Sequence, residues 1–300
     1  APGGGAPGGG PGGGSGGGTS GPSDGGDDAG RSDSGVPDAG GSDGGTPDAG
    51  PSDAGPRDAG ASDAGPCNGA LLCETFESWP QGAVTGPQRG WTPRQTHASL
   101  QVAPGPGDGG LALRVDLPGQ ADSDGTIALP LTGLFPTKGY HLFARVWLYG
   151  EQLPSTATYA RHGFVSVEGT NPGTTDSAHV ATRHDQGRQP YFNYFVNPPF
   201  IDCACCATPT PPLPVQEWVC YELELDDATS SAKLYFDGGA TPVTQMSMKG
   251  TFCGDGNTQR VWAFPTLGSL RLGIYAFDAA PLRVWLDDVA VSSTRVGCAR

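Results

Sequence analysis

Between residues 67 and 300, apolar side chains return at every second position in short runs, each closed by Gly, Pro, Asp or Asn, and helical spacing is hard to find. Period two sends successive side chains to opposite faces of an extended chain, so the pattern predicts an all-β fold. Strands are expected at 112–117, 126–131, 141–149, 163–168, 191–196, 218–225, 232–236, 269–275 and 283–292. Such a set fits one large two-sheet antiparallel sandwich better than two domains. Residues 197–215 contain six prolines and three cysteines. Proline donates no ladder hydrogen bond, so this segment is expected not as a central strand but as a disulfide-pinned loop on the rim.

Residues 1–66 differ in kind. They hold 25 of the 50 Gly and 10 of the 31 acidic residues and no aromatic side chain. Such a composition cannot bury a core. From Asp28 an acidic residue returns at every fifth position, at Asp33, Asp38, Asp43, Asp48, Asp53, Asp58 and Asp63. Period five matches neither helix nor strand, and the reading is a disordered, self-repelling Gly/Pro/Asp-rich tail ahead of a domain spanning 67–300. A calcium-binding β-helix repeat would need inward apolar residues in each turn, and none are present. The net charge of −14 argues against nucleic acid as a partner, and no apolar run of 18 residues is available to cross a membrane.

All eight cysteines, Cys67, Cys73, Cys203, Cys205, Cys206, Cys220, Cys253 and Cys298, lie beyond the tail. An even number, with three lysines and a long spacer, suits an oxidising compartment. A secreted or surface-tethered monomer, exported or lipid-anchored, is expected, and Ala1 in place of Met fits a processed N-terminus. A zinc site at Cys203, Cys205 and Cys206 is the rival reading, but paired C-x-x-C knuckles and a following His are missing. Eight cysteines allow many pairings. One expectation is a bridge from Cys67 or Cys73 to Cys298, because the first and last strands of a sandwich often lie side by side.

The strand at 141–149 has two chemically distinct faces. Leu142, Ala144, Val146 and Leu148 form an aliphatic face for the inter-sheet core, opposite His141, Phe143, Arg145, Trp147 and Tyr149. Aromatics beside Arg and His suit a groove that stacks sugar rings and hydrogen-bonds their hydroxyls. The alternative is a loop that covers this face as a second core layer. In the next candidate strand Val165 and Val167 point inward, which puts His162, Phe164, Ser166 and Glu168 on the groove side. The sugar-binding set expected from this is Phe143, Arg145, Trp147, Tyr149, His162 and Glu168. Tyr191 and Asn193 alternate with Phe192 and Tyr194, with either facing open. His179, Arg183 and His184 fall in a polar stretch that could reach the same surface from a loop.

Four segments carry a resemblance: Cys73-Glu74-Thr75-Phe76-Glu77-Ser78-Trp79 followed by Gly90-Trp91, the run from Trp218 through Glu222, Glu224 and Asp226, Leu234-Tyr235-Phe236-Asp237-Gly238, and Val284-Trp285-Leu286-Asp287-Asp288-Val289. Together they resemble the concanavalin A-like lectin and glucanase superfamily, a jelly-roll fold. The resemblance implies carbohydrate as the ligand class, since the superfamily includes lectins, hydrolases, lyases and inert adhesion modules. It also implies a structural calcium held by Glu77 and Asp288, with no organic cofactor.

Three functions follow as expectations. The first is a polysaccharide-binding module on a flexible tether. The second is an enzyme, with a polysaccharide lyase preferred: β-elimination on a uronate needs a group to neutralise the carboxylate and another to take the C5 proton, and Arg145, His162, Tyr191, Asn193 and His141 supply those types. Glycoside hydrolysis is the weaker enzymatic reading, because Glu222, Glu224 and Asp226 share a strand face without the family's E-x-D-x-x-E pattern. The third is a structural surface protein.

Overall fold

The computed structural model describes residues 67, 69–107, 110–185, 188–197, 211–247 and 263–299 in full, and only the backbone of 201–205, 252–253 and 260–261. The expectations for residues 1–66 lie outside these. The alternation along the chain becomes strands β1 (Leu72–Glu74), β2 (Gly82–Ala83), β3 (Thr92–Thr96), β4 (Ser99–Pro104), β5 (Leu111–Pro118), β6 (Ser123–Pro130), β7 (His141–Gln152), β8 (His162–Thr170), β9 (Ser177–His184), β10 (Pro190–Asn197), β11 (Ile201–Cys205), β12 (Trp218–Asp226), β13 (Ser231–Phe236), β14 (Thr244–Ser247), β15 (Phe252–Cys253), β16 (Arg260–Val261), β17 (Thr266–Ala276) and β18 (Pro281–Ser292). Among the described residues there is no α-helix, and none long and apolar enough to cross a membrane.

Two antiparallel sheets form a sandwich. One runs β14-β13-β12-β7-β18-β5-β4-β2, with β1 also on β18, and the other runs β11-β10-β9-β8-β17-β6-β3. Their inner faces interdigitate as period two dictates. Leu142, Ala144, Val146 and Leu148 of β7 meet Phe192, Tyr194 and Val196 of β10 and Leu270, Leu272 and Ile274 of β17 in one core. The aliphatic face expected for 141–149 is therefore the buried one.

The strand expected at each of the nine segments is present, and two more lie where loops were expected. Residues 177–184 form β9, in the interior of the second sheet. Its inward side is Ala178, Val180 and Thr182, all buried, a small and partly polar face with little hydrophobic signal. Residues 201–205 form β11, which pairs with β10 at the sheet edge, where a proline-flanked segment is tolerated.

The disulfide expectation is corrected. The first and last strands do pair, with Cys73 opposite Ala290. Cys73 nevertheless bonds Cys67 six residues back, and Cys298 bonds Cys220. After β18 the chain turns away from β1 and crosses β12, which brings Cys298 to Cys220. Among the described residues no cysteine is free.

Candidate functional site

The outer face of β7 is covered at Arg145. Residues 293–299 run across it as a strap, bonded to β12 through Cys220–Cys298. Arg145, 1% exposed, donates to the carbonyls of Asp288, Gly297 and Ala299. Burial lowers its pKa, against the pull of Asp288, Glu222 and Asp287. Arg295 of the strap binds the fully buried Glu222 and stacks on Tyr235 at 4.0 Å. Elsewhere on this face Phe143 is buried, Trp147 and Tyr149 are half-buried and His141 is exposed. The covering segment weighed as the alternative is thus present, and Arg145 does not line an open groove.

The carboxylates of β12 are similarly engaged. Glu224 accepts from Tyr235 Oη at 2.8 Å, from Lys233 Nζ at 3.1 Å and from His141 Nε2 at 3.1 Å. Burial pushes its carboxyl up, but those hydrogen bonds outweigh it and hold the pKa below the usual range. Glu222 accepts from Arg295 and from the Gly297 amide. Neither carboxylate stands across an open cleft as glycoside hydrolysis requires.

His162 also departs from expectation. A register shift between Gly163 and Ser166 adds a bulge to β8 and reverses the phase ahead of it. His162 and Phe164 therefore point into the core, while Ser166 and Glu168 remain on the outer face. His162 stacks on His184 at 5.6 Å with 17° between rings, and His184 Nε2 meets the Tyr221 hydroxyl at 3.2 Å across the sandwich. Burial takes His162 down to about 4, and burial with its neighbour takes His184 down to about 3. Both imidazoles are structural and neutral near pH 7.

Tyr191 and Asn193 lie on the outer face of the second sheet, far in the fold from Arg145 and His141. Ladder register arranges this face as a grid. Tyr191, Arg183, Gly163 and Tyr275 make one row, Asn193, Ala181, Ser166 and Arg271 the next, and Phe195, His179, Glu168 and Ser269 a third. His179 and Arg183 thus reach this surface from a strand, not from a loop.

Arg183 organises the first row. It stands in the row between Tyr191 and Tyr275, and its guanidinium packs 4.0 Å from the Phe277 ring. Burial keeps both phenols protonated, although Arg183 pulls them down; Tyr191 is pushed up to about 12 and Tyr275 further. Tyr275 also donates to the Thr182 carbonyl at 3.0 Å, and its ring lies over Gly163, where a Cβ would come within 2.2 Å of the hydroxyl. Only glycine admits that ring.

A pocket of about 230 Å³ opens beside the grid, lined by Ser166, His179, Phe195, Arg271, Tyr275 and Phe277 together with Asp122 and Asp124. His179 and Phe195 stack at 4.9 Å and 10°. Arg271 binds Glu168, Thr126 and Asp124, and Glu168 also binds Arg94. Glu168 is therefore held within the wall by two arginines, which outweigh its burial and keep it ionised. The buried Ser166 hydroxyl has no hydrogen-bond partner among the described residues.

Calcium, expected at Glu77 and Asp288, finds no ready cage. Glu77 is exposed and accepts the Leu111 amide at 2.8 Å, whereas Asp288 occupies a bulge in β18 at φ 45°. Among the described residues no three His, Cys, Asp or Glu side chains converge. These two carboxylates do not make the roughly six to eight oxygens that calcium takes.

No protein-family model matches the chain, and no curated protein matches it. Among solved structures, the chain is similar to the cellulose-induced protein Cip1, with TM-score 0.53 and 16% identity over 76% of this chain and 100% of that one. It is also similar to the CBM22-1 xylan-binding domain from Paenibacillus barcinonensis Xyn10C, with TM-score 0.38 and 14% identity over 74% of this chain and 93% of that one. The first likeness extends to the fold, an all-β jelly-roll sandwich.

Proposed function

We propose that the outer face of the seven-stranded sheet binds a polysaccharide, chiefly through uncharged sugar rings. The observation that carries this is the 230 Å³ pocket, which combines aromatic walls at Phe195, Tyr275 and Phe277 with convergent polar groups at Asp124, Arg271 and the unpartnered Ser166 hydroxyl. Aromatic faces stack on the apolar side of a pyranose, and carboxylate, guanidinium and hydroxyl groups pair with its hydroxyls. Charge decides the ligand class. Asp124 and Glu168 both pair with Arg271, and Asp122 adds a second carboxylate to the lining, so the pocket offers no surplus positive charge to a uronate.

In this reading the chain acts outside the cell as a monomeric module, with residues 1–66 as a spacer. The disulfides Cys67–Cys73 and Cys220–Cys298 suit an oxidising compartment.

A second reading, β-elimination on a uronate, is favoured by the row that sets Arg183 between the two protonated phenols Tyr191 and Tyr275. Arg183 would neutralise the carboxylate, His179 would take the C5 proton, and Tyr275 would protonate the departing oxygen as the C4–O bond breaks and the C4–C5 double bond forms.

The test presents the full chain to gels of neutral and uronate polysaccharides while following absorbance of an unsaturated product. Retention on neutral glycans that Phe195→Ala and Ser166→Val abolish supports binding. Absorbance on a uronate, lost in Arg183→Gln, replaces it with the lyase. Silence on every glycan rejects both.

A further inference from the structure

The binding face does not end at the pocket wall. Phe277, which lines the pocket, is the middle of an alternating stack: Arg183 lies 4.0 Å from its ring centroid, and the Arg161 guanidinium lies 5.8 Å from the same centroid and 5.8 Å from that of Tyr159. The order Arg183–Phe277–Arg161–Tyr159 leads from the buried grid to a ring that is 60% exposed.

Each step is fixed from behind. Asp278 grips Arg161 through the backbone amide at 2.8 Å, Nε at 3.0 Å and Nη2 at 3.1 Å, and the Phe277 amide donates to the Arg161 carbonyl at 3.0 Å. A turn precedes Tyr159, closed by the Thr158 amide on the Ser155 carbonyl at 2.9 Å and by their hydroxyls at 2.7 Å. The backbone on both sides of the ring is therefore held, and a tyrosine ring has few rotamers of its own to lose on binding.

Resting on the function proposed above, we infer that Tyr159 is a separate outer subsite, which takes a further sugar ring of the same polysaccharide by stacking alone. Arg161 already has Asp278 as its partner, so the subsite supplies an aromatic face without net charge. It reads chain length: a ligand that fills only the pocket never reaches Tyr159, and a longer one gains the extra contact.

The test compares the full wild-type chain with Tyr159→Ala and Tyr159→Phe by calorimetric titration of neutral β-1,4-linked oligosaccharides, the cello and xylo series, at two and six rings. The expected result is that Tyr159→Ala weakens the six-ring ligand about 5-fold, leaves the two-ring ligand unchanged, and does so equally at low and high salt. Tyr159→Phe retains the wild-type affinity because the stacking face remains. Equal weakening at both lengths, or none at six rings, overturns the subsite while wild-type binding still upholds the pocket. Failure of the wild-type chain to bind any oligosaccharide overturns both.

Discussion

The carbonyl of Asp288 accepts two hydrogen bonds from Arg145, at 3.2 Å from Nε and 2.9 Å from Nη2. Asp288 is the extra residue where Asp287 pairs with Trp147 and Ala290 with Arg145, so its carbonyl has left the ladder and a side chain replaces the missing partner. Arg145→Met is expected to cost roughly 3 kcal/mol by urea unfolding, since buried carbonyls lose their donors. Retention on the glycan gel should persist wherever the variant remains folded. A variant of wild-type stability that has lost retention would return Arg145 to the site.

Acid should loosen the sandwich through the stacked histidines. Their folded pKa values lie below the ordinary 6.5, so the unfolded chain takes up protons first as pH falls. The stability they contribute is whole above about pH 6.5 and is lost progressively toward pH 4, on the order of 3 kcal/mol for His162 alone. Unfolding free energies at pH 7.5, 6 and 5 measure this. A flat profile would show that Tyr221, Ala160 and Arg188, which face the pair, accommodate the charge.

The two described disulfides should contribute unequally. Cys220 and Cys298 are separated by 78 residues and Cys67 and Cys73 by 6. On loop-closure entropy, Cys298→Ser costs roughly 4 kcal/mol and Cys73→Ser roughly 2 kcal/mol. Calorimetric melting of both variants gives the order; the reverse would mean that the strap is held by Arg145 and Arg295 without its covalent tie.

Gly163→Ala tests the grid without removing a polar group. The added methyl would lie 2.2 Å from the Tyr275 hydroxyl and 2.5 Å from the Thr182 carbonyl, so the ring must move. A loss of roughly 1 to 3 kcal/mol in stability is expected, together with weakened glycan retention. Unchanged retention would place the ligand away from Tyr275.

These residues also show which parts of the architecture were legible beforehand. The inward side of β7 could be read from Leu142, Ala144, Val146 and Leu148, because burial follows local alternation. What covers the opposite side could not, since Arg295 and Cys298 come from more than 140 positions away. His162 was misplaced because a one-residue bulge reverses every side chain before it, and the sequence of β8 carries no glycine or proline at the shift except Gly163 itself. For β9 a signal existed: Ala178, Val180 and Thr182 alternate with His179, Ala181 and Arg183, but small inward residues give a weak period. Of the residues suggested for elimination chemistry, Tyr191 and Asn193 share the grid, and the arginine beside them is Arg183.

Arg145 has one more neighbour. Its Nη2 lies 3.9 Å from Cys67 Sγ, while Nη1 donates to the Ala299 carbonyl at 3.2 Å. One guanidinium thus gathers residues 67 and 299, which are 232 positions apart, on the side of the sandwich opposite the grid. The same geometry puts an attachment for a dye, a resin or a fused protein on the sheet opposite the proposed binding face.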